Sequence, residues 1–281
     1  MIPAQFDFKK GRIFDFTTRS YVMGIMNITP DSFSQDGLYR QTDVIDRAVT
    51  QAVQMIADGA DILDLGAEST RPGAPPVDAA EEARRLFPVL KELVNTVDVP
   101  ISIDSYKPEI AEKAIEYGAA LINDIWGLRS PDDPEFRMAK VVAEADIPVV
   151  IMHNQIQAGY ENVIHEVITS LRRSIEIALT MGIDLNKIIV DPGIGFAKSY
   201  QDNLMLLHHL DQLKILERPI LLGVSRKSVI GKTLDLPVEE RLEGTIAANV
   251  WGVAKGANLV RVHDVKAISR AIKMCDAISH A

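Results

Sequence analysis

Short runs of apolar and β-branched residues alternate with longer amphipathic stretches along most of the chain. The apolar runs are Tyr21–Ile28, Ile62–Glu68, Pro100–Asp104, Ala120–Ile125, Pro148–His153, Ile188–Pro192, Pro219–Ser225 and Leu259–His263. Near-continuous apolar runs of this length are what parallel strands buried on both faces look like. The stretches between them have helical spacing. Val44–Ala57 repeats through Val44, Ile45, Ala48, Ala52, Val53 and Ile56, and Ala79–Val94 through Ala83, Leu86, Phe87, Leu90 and Leu93. Pro108–Tyr117, Val163–Met181, Asn203–Leu216, Leu242–Ala254 and Lys266–Ile278 read similarly. Gly59, Gly118, Gly182 and Gly256 each precede an apolar residue at the end of such a stretch, where a left-handed residue closes a helix before the next strand. Eight strand–helix units predict an α/β fold, a (β/α)8 TIM barrel occupying residues 21–281 as a single domain. Residues 1–20 fall outside the repeat, and Arg12–Phe16 is expected to form a short strand or hairpin in an N-terminal extension that plugs one barrel end. Gly73-Ala74-Pro75-Pro76 reads as a loop within one connection, not as a domain boundary.

Composition narrows the function without naming it. The chain has 281 residues, 47% hydrophobic and 25% charged, an ordinary globular balance with enough length for one large core. A formal net charge of -9 argues against a general nucleic-acid binder, yet leaves room for an anionic substrate held by local cations. The lone cysteine, Cys275, excludes an intramolecular disulfide and a thiolate metal cluster, and its apolar-periodic setting predicts a buried structural thiol. The N-terminus lacks a basic segment followed by an apolar run, and no stretch approaches the length of a membrane span. A cytoplasmic, soluble protein without nucleic-acid or membrane partners is expected.

In such barrels the chemistry lies at the C-terminal ends of the strands. Here those ends carry Asn27; Glu68, Ser69, Thr70 and Arg71; Asp104; Asn123 and Asp124; His153 and Asn154; Asp191; Ser225, Arg226 and Lys227; and Arg261, His263 and Asp264. One polar residue at a strand end is explained by capping of the next helix. Carboxylates, amides, cations and a histidine gathered on one rim are not. Asp104, Asn123 and Asp191 suit a heterocycle with a guanidine-like edge, because a buried carboxylate accepts two hydrogen bonds from it. Arg71, Lys227, Arg261 and His263 suit phosphate oxygens, and the last two strands are the usual phosphate side of a barrel.

The same segments resemble those of the dihydropteroate synthases. Gly24-Ile25-Met26-Asn27-Ile28-Thr29-Pro30-Asp31-Ser32-Phe33-Ser34 is similar to the first loop of that family, and Asp64-Leu65-Gly66-Ala67-Glu68-Ser69-Thr70-Arg71-Pro72-Gly73 to its second signature. Ser102-Ile103-Asp104-Ser105, Ile122-Asn123-Asp124, Asp191-Pro192-Gly193-Ile194-Gly195-Phe196, Gly223-Val224-Ser225-Arg226-Lys227-Ser228 and Arg261-Val262-His263-Asp264-Val265 follow in the family order. The resemblance runs from about Tyr21 to the C-terminus. It implies condensation of p-aminobenzoate with a dihydropterin-methyl diphosphate, with Mg²⁺ as cofactor and pyrophosphate as the second product. It also implies a homodimer formed through the last helices.

By the same resemblance, Asp104, Asn123, Asp191 and Lys227 would hold the pterin, with Met152 packing on it, Gly223 beside it and Arg261 covering one ring face. Asn27, Thr70, Arg71, Arg261 and His263 would hold the diphosphate, and Asn27 would reach Mg²⁺. Phe33, Thr70, Pro72, Phe196, Lys227 and Ser228 would form the p-aminobenzoate pocket, Ser228 receiving the carboxylate. Asp104, Lys227, Arg261 and His263 would be the catalytic residues. The chain departs from the family pattern in three places. Ser34-Gln35-Asp36-Gly37 is one residue longer than the commonest form, Ala197 stands where glycine is frequent, and Met152-His153-Asn154-Gln155 replaces a longer segment.

The chemistry calls for a stabilised leaving group more than a strong nucleophile. Ring nitrogen lone pairs of a dihydropterin can expel the diphosphate and leave a cation at the exocyclic carbon, which the aromatic amine then captures. Mg²⁺, Arg261 and His263 would stabilise the leaving charge, Asp104 the ring cation, and the first two loops would exclude water. Two other readings share the barrel: a pterin-dependent methyltransferase and a non-catalytic pterin-binding paralogue. Ser69–Gly73 and Ser225–Ser228 speak against the first, since a methyl carrier has no diphosphate or benzoate carboxylate to hold. Intact Asn27, Lys227, Arg261 and His263 speak against the second.

Overall fold

The computed structural model describes residues 5–8, 12–28, 41–68 and 76–281. Phe6–Asp7 (β1) and Ile13–Phe14 (β2) pair antiparallel as a small hairpin. The barrel strands are Tyr21–Asn27 (β3), Ile62–Gly66 (β4), Ile101–Asp104 (β5), Leu121–Asp124 (β6), Val149–Met152 (β7), Ile188–Asp191 (β8), Leu221–Leu222 (β9) and Leu259–Val262 (β10). They are parallel, in the order β8-β7-β6-β5-β4-β3-β10-β9. A bridge between Val190 and Ile220, with the Val190 amide donating to Pro219 O at 2.9 Å, joins the two ends and closes the ring.

Two faces follow from the period-two alternation of each strand. Leu63, Leu65, Ile103, Ile122, Val149, Ile151, Val190, Val260 and Val262 point outward, into the core shared with the helices. Met23, Ile62, Leu121, Val150, Ile189, Leu221 and Leu259 point inward and make one cluster with Phe6, Phe8, Phe14, Phe16 and Tyr21. The hairpin thus lays its phenyl rings across the N-terminal mouth. The Phe14 ring stacks on Tyr21 with centroids 4.1 Å apart, and Phe8 lies 4.6 Å from Phe14. Asp276 from the last helix accepts from both the amide and the hydroxyl of Ser20, at 2.9 Å each, and fixes the entry into β3.

The helices around the barrel are Gln41–Ala57 (α1), Ala79–Thr96 (α2), Pro108–Glu116 (α3), Arg137–Ala145 (α4), Val163–Thr180 (α5), Tyr200–His208 (α6), Ser228–Leu234 (α7), Leu242–Ala254 (α8) and Val265–Ser279 (α9). Two of them have no counterpart in the apolar pattern. Helix α4 buries only Met138, Ala139 and Val142, and its start is fixed by the Asp133 side chain, which accepts from the amides of Arg137 and Met138 at 2.9 Å. Helix α7 contains Gly231, where a Cβ would fall 2.2 Å from the Arg241 guanidinium, so packing rather than propensity sets that residue. The stretch 203–216 divides: α6 stops at His208, and Leu210–Leu216 continues as a 3-10 helix with Leu210, Leu213 and Leu216 buried. A buried residue every third position is the period of that helix. Gly59, Gly118, Gly182 and Gly256 all have φ between 95° and 109°, as their helix-closing positions require. Cys275 is buried, with its thiol 3.7 Å from Val250 O. Among the described residues no helix is long and apolar enough to cross a membrane.

Candidate active site

One step of two residues up the inward face changes its chemistry. Above Ile62 stands Asp64, above Leu121 Asn123, above Val150 Met152, above Ile189 Asp191, above Leu221 Gly223 and above Leu259 Arg261; Asp104 stands above Ser102. The alternation that turns the apolar set inward must also turn this polar set inward. Asn27 closes β3 half-buried at the rim. The expected residues Asp104, Asn123, Met152, Asp191, Gly223 and Arg261 therefore converge on one mouth. Phe33, Thr70, Arg71 and Pro72 lie outside the described residues.

Arg261 is turned down into that mouth. Its Nε donates to Asp64 Oδ2 at 2.5 Å and its Nη2 to Asp104 Oδ2 at 2.6 Å. Asn123 Nδ2 also donates to Asp64 Oδ2, at 3.3 Å. Burial works against the Arg261 charge, but Asp64 and Asp104 overrule it and hold its pKa above the ordinary value. Asp104 is pushed up to about 7 by burial, with the Arg261 charge opposing the rise. The second oxygens, Asp64 Oδ1 and Asp104 Oδ1, are buried without a hydrogen-bond partner. Buried acceptors of this kind are costly unless a donor reaches them. They make this the place where a donor-rich ring edge fits.

Asp191 faces the mouth from the other side. Its Oδ1 accepts from the Gly193 amide at 2.6 Å, and burial raises its pKa, against Lys227. A Cβ at Gly223 would lie 3.7 Å from Asp191 Oδ2 and 3.8 Å from Lys227 Nζ, so the bare glycine stands beside the gap between acid and amine. Lys227 points back over the barrel. Its Nζ donates to Ile194 O and lies 4.8 Å from the centroid of the half-buried Phe196 ring. Burial lowers the Lys227 pKa to about 8, with Asp191 opposing. Gly193 has φ of 68°, and a Cβ there would come within 2.0 Å of His153 O, so no other residue fits that turn.

The ends of β9 and β10 are tied together. His263 Nδ1 lies 3.1 Å from Ser225 Oγ, and the His263 amide donates to the same oxygen at 3.2 Å. Arg226 makes a two-pronged ion pair with Asp264, at 2.8 and 2.5 Å, so this cation braces the rim instead of facing substrate. Ser228 opens α7 and is exposed. In the segment after β7, the Gln155 amide donates to Asn154 Oδ1 and the Gln155 side chain to Gln157 O, so both side chains are engaged within their own loop.

Two residues escaped the strand-end reading. Asp64 sits inside a strand, and its signal was a charge in the middle of the apolar run Ile62-Leu63-Asp64-Leu65. Lys198 follows the β8 loop, and its Nζ lies 2.9 Å from each of His153 Nδ1, Gly193 O and Phe196 O. Nothing in its sequence neighbourhood announces that reach.

The profile of the pterin binding enzymes matches residues 23–263, so the barrel and the polar mouth together are those of a pterin-binding enzyme. The dihydropteroate synthase of Clostridium beijerinckii is 49% identical over 266 residues, covering 94% of this chain and 96% of its own. A solved dihydropteroate synthase of Clostridium difficile, crystallised in the presence of pteroic acid, superposes with a TM-score of 0.90 at 46% identity, covering 95% of this chain and 100% of that one. The Xanthomonas albilineans dihydropteroate synthase with 4-aminobenzoic acid superposes with a TM-score of 0.91 at 40% identity over 99% of both chains. The chain belongs to the dihydropteroate synthase family, enzymes of folate biosynthesis.

Proposed function

We propose that the polar mouth seats the ring of (7,8-dihydropterin-6-yl)methyl diphosphate and joins it there to p-aminobenzoate, releasing pyrophosphate. Asp191 and Lys227 take the ring from one side, and Asn123 and Asp104 from the other, with Met152 packed beneath. The observation that carries this reading is the pair of buried acceptors without partners, Asp64 Oδ1 and Asp104 Oδ1, inside the inward layer. A pterin edge brings N–H donors to such a place, whereas an apolar or anionic ligand does not. Asn27 and His263, with Arg261 freed from its carboxylates, meet the diphosphate at the rim. Phe196, Lys227 and Ser228 border the p-aminobenzoate side.

Electrostatics fits the departure of a diphosphate. Asp64, Asp104 and Asp191 face Arg261 and Lys227, with Lys198 acting on Asp191 from the loop behind, so carboxylates and cations balance when all are ionised. Positive charge developing on the ring meets preorganised carboxylates in a buried site, where such interactions are worth several kcal/mol. The same charge draws Asp104, poised near 7, into its anionic form. The donor chemistry also suits Mg²⁺. Magnesium is held by one or two protein oxygens plus substrate phosphates, and Asn27 offers one amide oxygen beside the diphosphate end. Bound there, the ion would supply neutralising charge for the leaving group.

A homodimer through the terminal helices belongs to the same reading. It is supported by Trp251 on α8, 45% exposed, and by Met274 and Ile278 on α9, 61% and 66% exposed. A monomer in sedimentation at micromolar concentration would remove that part. The function is tested by coupled pyrophosphate detection with both substrates. Release is expected only when dihydropterin-methyl diphosphate and p-aminobenzoate are present together. Methyl transfer from a methyl-folate instead, or pterin binding without release, would replace the assignment.

A further inference from the structure

We propose that Lys198 is a positioning residue for the condensation, a peg that holds the loop joining β8 to α6 so that Asp191 and Lys227 face the substrates together. The inference rests on the reading that this loop borders the pterin and the p-aminobenzoate. Every donor of the ammonium is used: His153 Nδ1, Gly193 O and Phe196 O each lie at 2.9 Å, with His153 O a longer contact at 3.4 Å. Burial lowers the Lys198 pKa to about 7, with Asp191 opposing; in its charged form the amine has three protons and no acceptor, so His153 Nδ1 then accepts and the imidazole carries its proton on Nε2. Burial, Lys198 and Arg129 keep that ring neutral, holding its pKa down to about 3.

What Lys198 ties down is the inner face of the site. Gly193 is the residue whose amide orients the Asp191 carboxylate. Ile194, next in the chain, accepts from Lys227 through its carbonyl, and a Cβ at Gly195 would lie 3.3 Å from Lys227 Cδ. The Phe196 ring lies under the Lys227 ammonium. The Gly195 amide is held from outside by Asn203 Oδ1 at 2.6 Å, and the Asn203 amide returns to Lys198 O and Ser199 O. The loop is therefore gripped at both ends by one ammonium and at its middle by one amide side chain. Through the His153 contacts the same ammonium ties the end of β7, next to Met152, to the end of β8. None of its contacts reaches Ser225, His263 or the Arg226–Asp264 pair.

That separation makes the role testable. Lys198→Met keeps the apolar stem and loses all three donors; Lys198→Gln keeps two N–H donors. For Lys198→Met, calorimetric affinity for a phosphate-free pterin should fall at least about tenfold, and KM for p-aminobenzoate should rise by a similar factor. Affinity for pyrophosphate with Mg²⁺ should stay within about twofold, because the phosphate side of the rim is untouched. Lys198→Gln should lie between Lys198→Met and the wild type, following the number of donors kept. Unchanged pterin affinity and unchanged KM in Lys198→Met would overturn the proposal, as would equal losses for pterin and pyrophosphate. Should the Met variant fail to fold, a Gln variant matching the wild type in both measurements overturns it. A wild-type protein that releases no pyrophosphate from the two substrates would instead overturn the assignment of function.

Discussion

The barrel interior is two layers built on the same strands two residues apart, and they answer opposite demands. The layer toward the N-terminal mouth, Met23, Ile62, Leu121, Val150, Ile189, Leu221 and Leu259 with the hairpin rings, is closed and apolar but for the buried Ser102 on β5. The layer above it, Asp64, Asp104, Asn123, Asp191 and Arg261, consists of buried charge and amide with acceptors left unpartnered. The lower layer gains by excluding water from hydrocarbon and aromatic surface. The upper layer gives up part of that gain, because its charges are desolvated and incompletely paired. Strand geometry alone places each side chain in its layer, so the fold supports a costly polar layer on an apolar floor. Substitutions in the two layers should therefore be separable in what they damage.

The largest effect is expected at Asp191. Asn in its place keeps an oxygen for the Gly193 amide, so the loop stays closed, but the second oxygen becomes an NH₂ donor pointing at a donor edge. Asp191→Asn should lower pterin-diphosphate affinity by about 2–5 kcal/mol, the range for truncating a buried charge-assisted pair. The thermal midpoint should barely move. Unchanged affinity by calorimetry would show that the upper layer is not the ring site. Next comes the floor. Phe14→Ala removes a ring stacked on Tyr21 and should cost about 3 kcal/mol in denaturant unfolding, with KM for both substrates unchanged. Comparable damage to KM would mean that the two layers are not independent.

The acid–base character of the upper layer sharpens the comparison further. Asp104 is raised from 3.8 to about 7, so its folded form binds the proton more tightly than the unfolded chain does. Its contribution to stability is therefore present at low pH and is lost as pH climbs toward 7. Lys227, lowered from 10.5 to about 8, runs the opposite way: its burden is greatest below pH 8 and lifts as pH rises toward 10.5. Without ligand the upper layer is thus most expensive between about pH 7 and 8. Relative to Asp104→Asn, the wild-type melt should rise as pH falls from 7 to 4. Relative to Lys227→Met, it should rise from pH 8 to 10. Flat differences in both series would show that these groups titrate as if exposed.

The two layers were also unequally legible in the sequence. All eight strands could be read because each is buried on both faces and carries almost no polar residue before its end. Asp104, Asn123 and Asp191 could be read because they end such runs. Asp64 carries no strand-end signal, because it stands two positions short of the end of β4. The alternation Ile62, Asp64, Gly66 would have found it. Helix α4 was missed because three buried residues in nine make no stripe, and Asp133, which starts it, reads as loop composition. Lys198 had no signal at all: Gly193 and Phe196 are in its own loop, but His153 is brought to it only by the pairing of β7 with β8.

The smallest effect concerns Ala197, the residue before Lys198. Its φ is 45°, in the left-handed region that a Cβ disfavours. Left-handed backbone costs a non-glycine residue roughly 1–2 kcal/mol, and glycine returns about 0.5–1 kcal/mol of that through the freedom of its unfolded chain. Ala197→Gly should therefore stabilise the protein by between about 0 and 1.5 kcal/mol, seen as a small upward shift of the thermal midpoint. The consequence for binding tells more than the sign of that shift. If the loop owes its shape to the strained residue, releasing the strain should loosen Phe196 and raise KM for p-aminobenzoate. If the shape is imposed from outside, by the Lys198 ammonium on Gly193 O and Phe196 O and by Asn203 on the Gly195 amide, then KM should not change. The count of contacts favours the second outcome, since the conformation at Ala197 follows from clamps on both sides of it. A fall in the midpoint would mean that the alanine is not strained, and a raised KM with a higher midpoint would place the control of the loop in Ala197 itself.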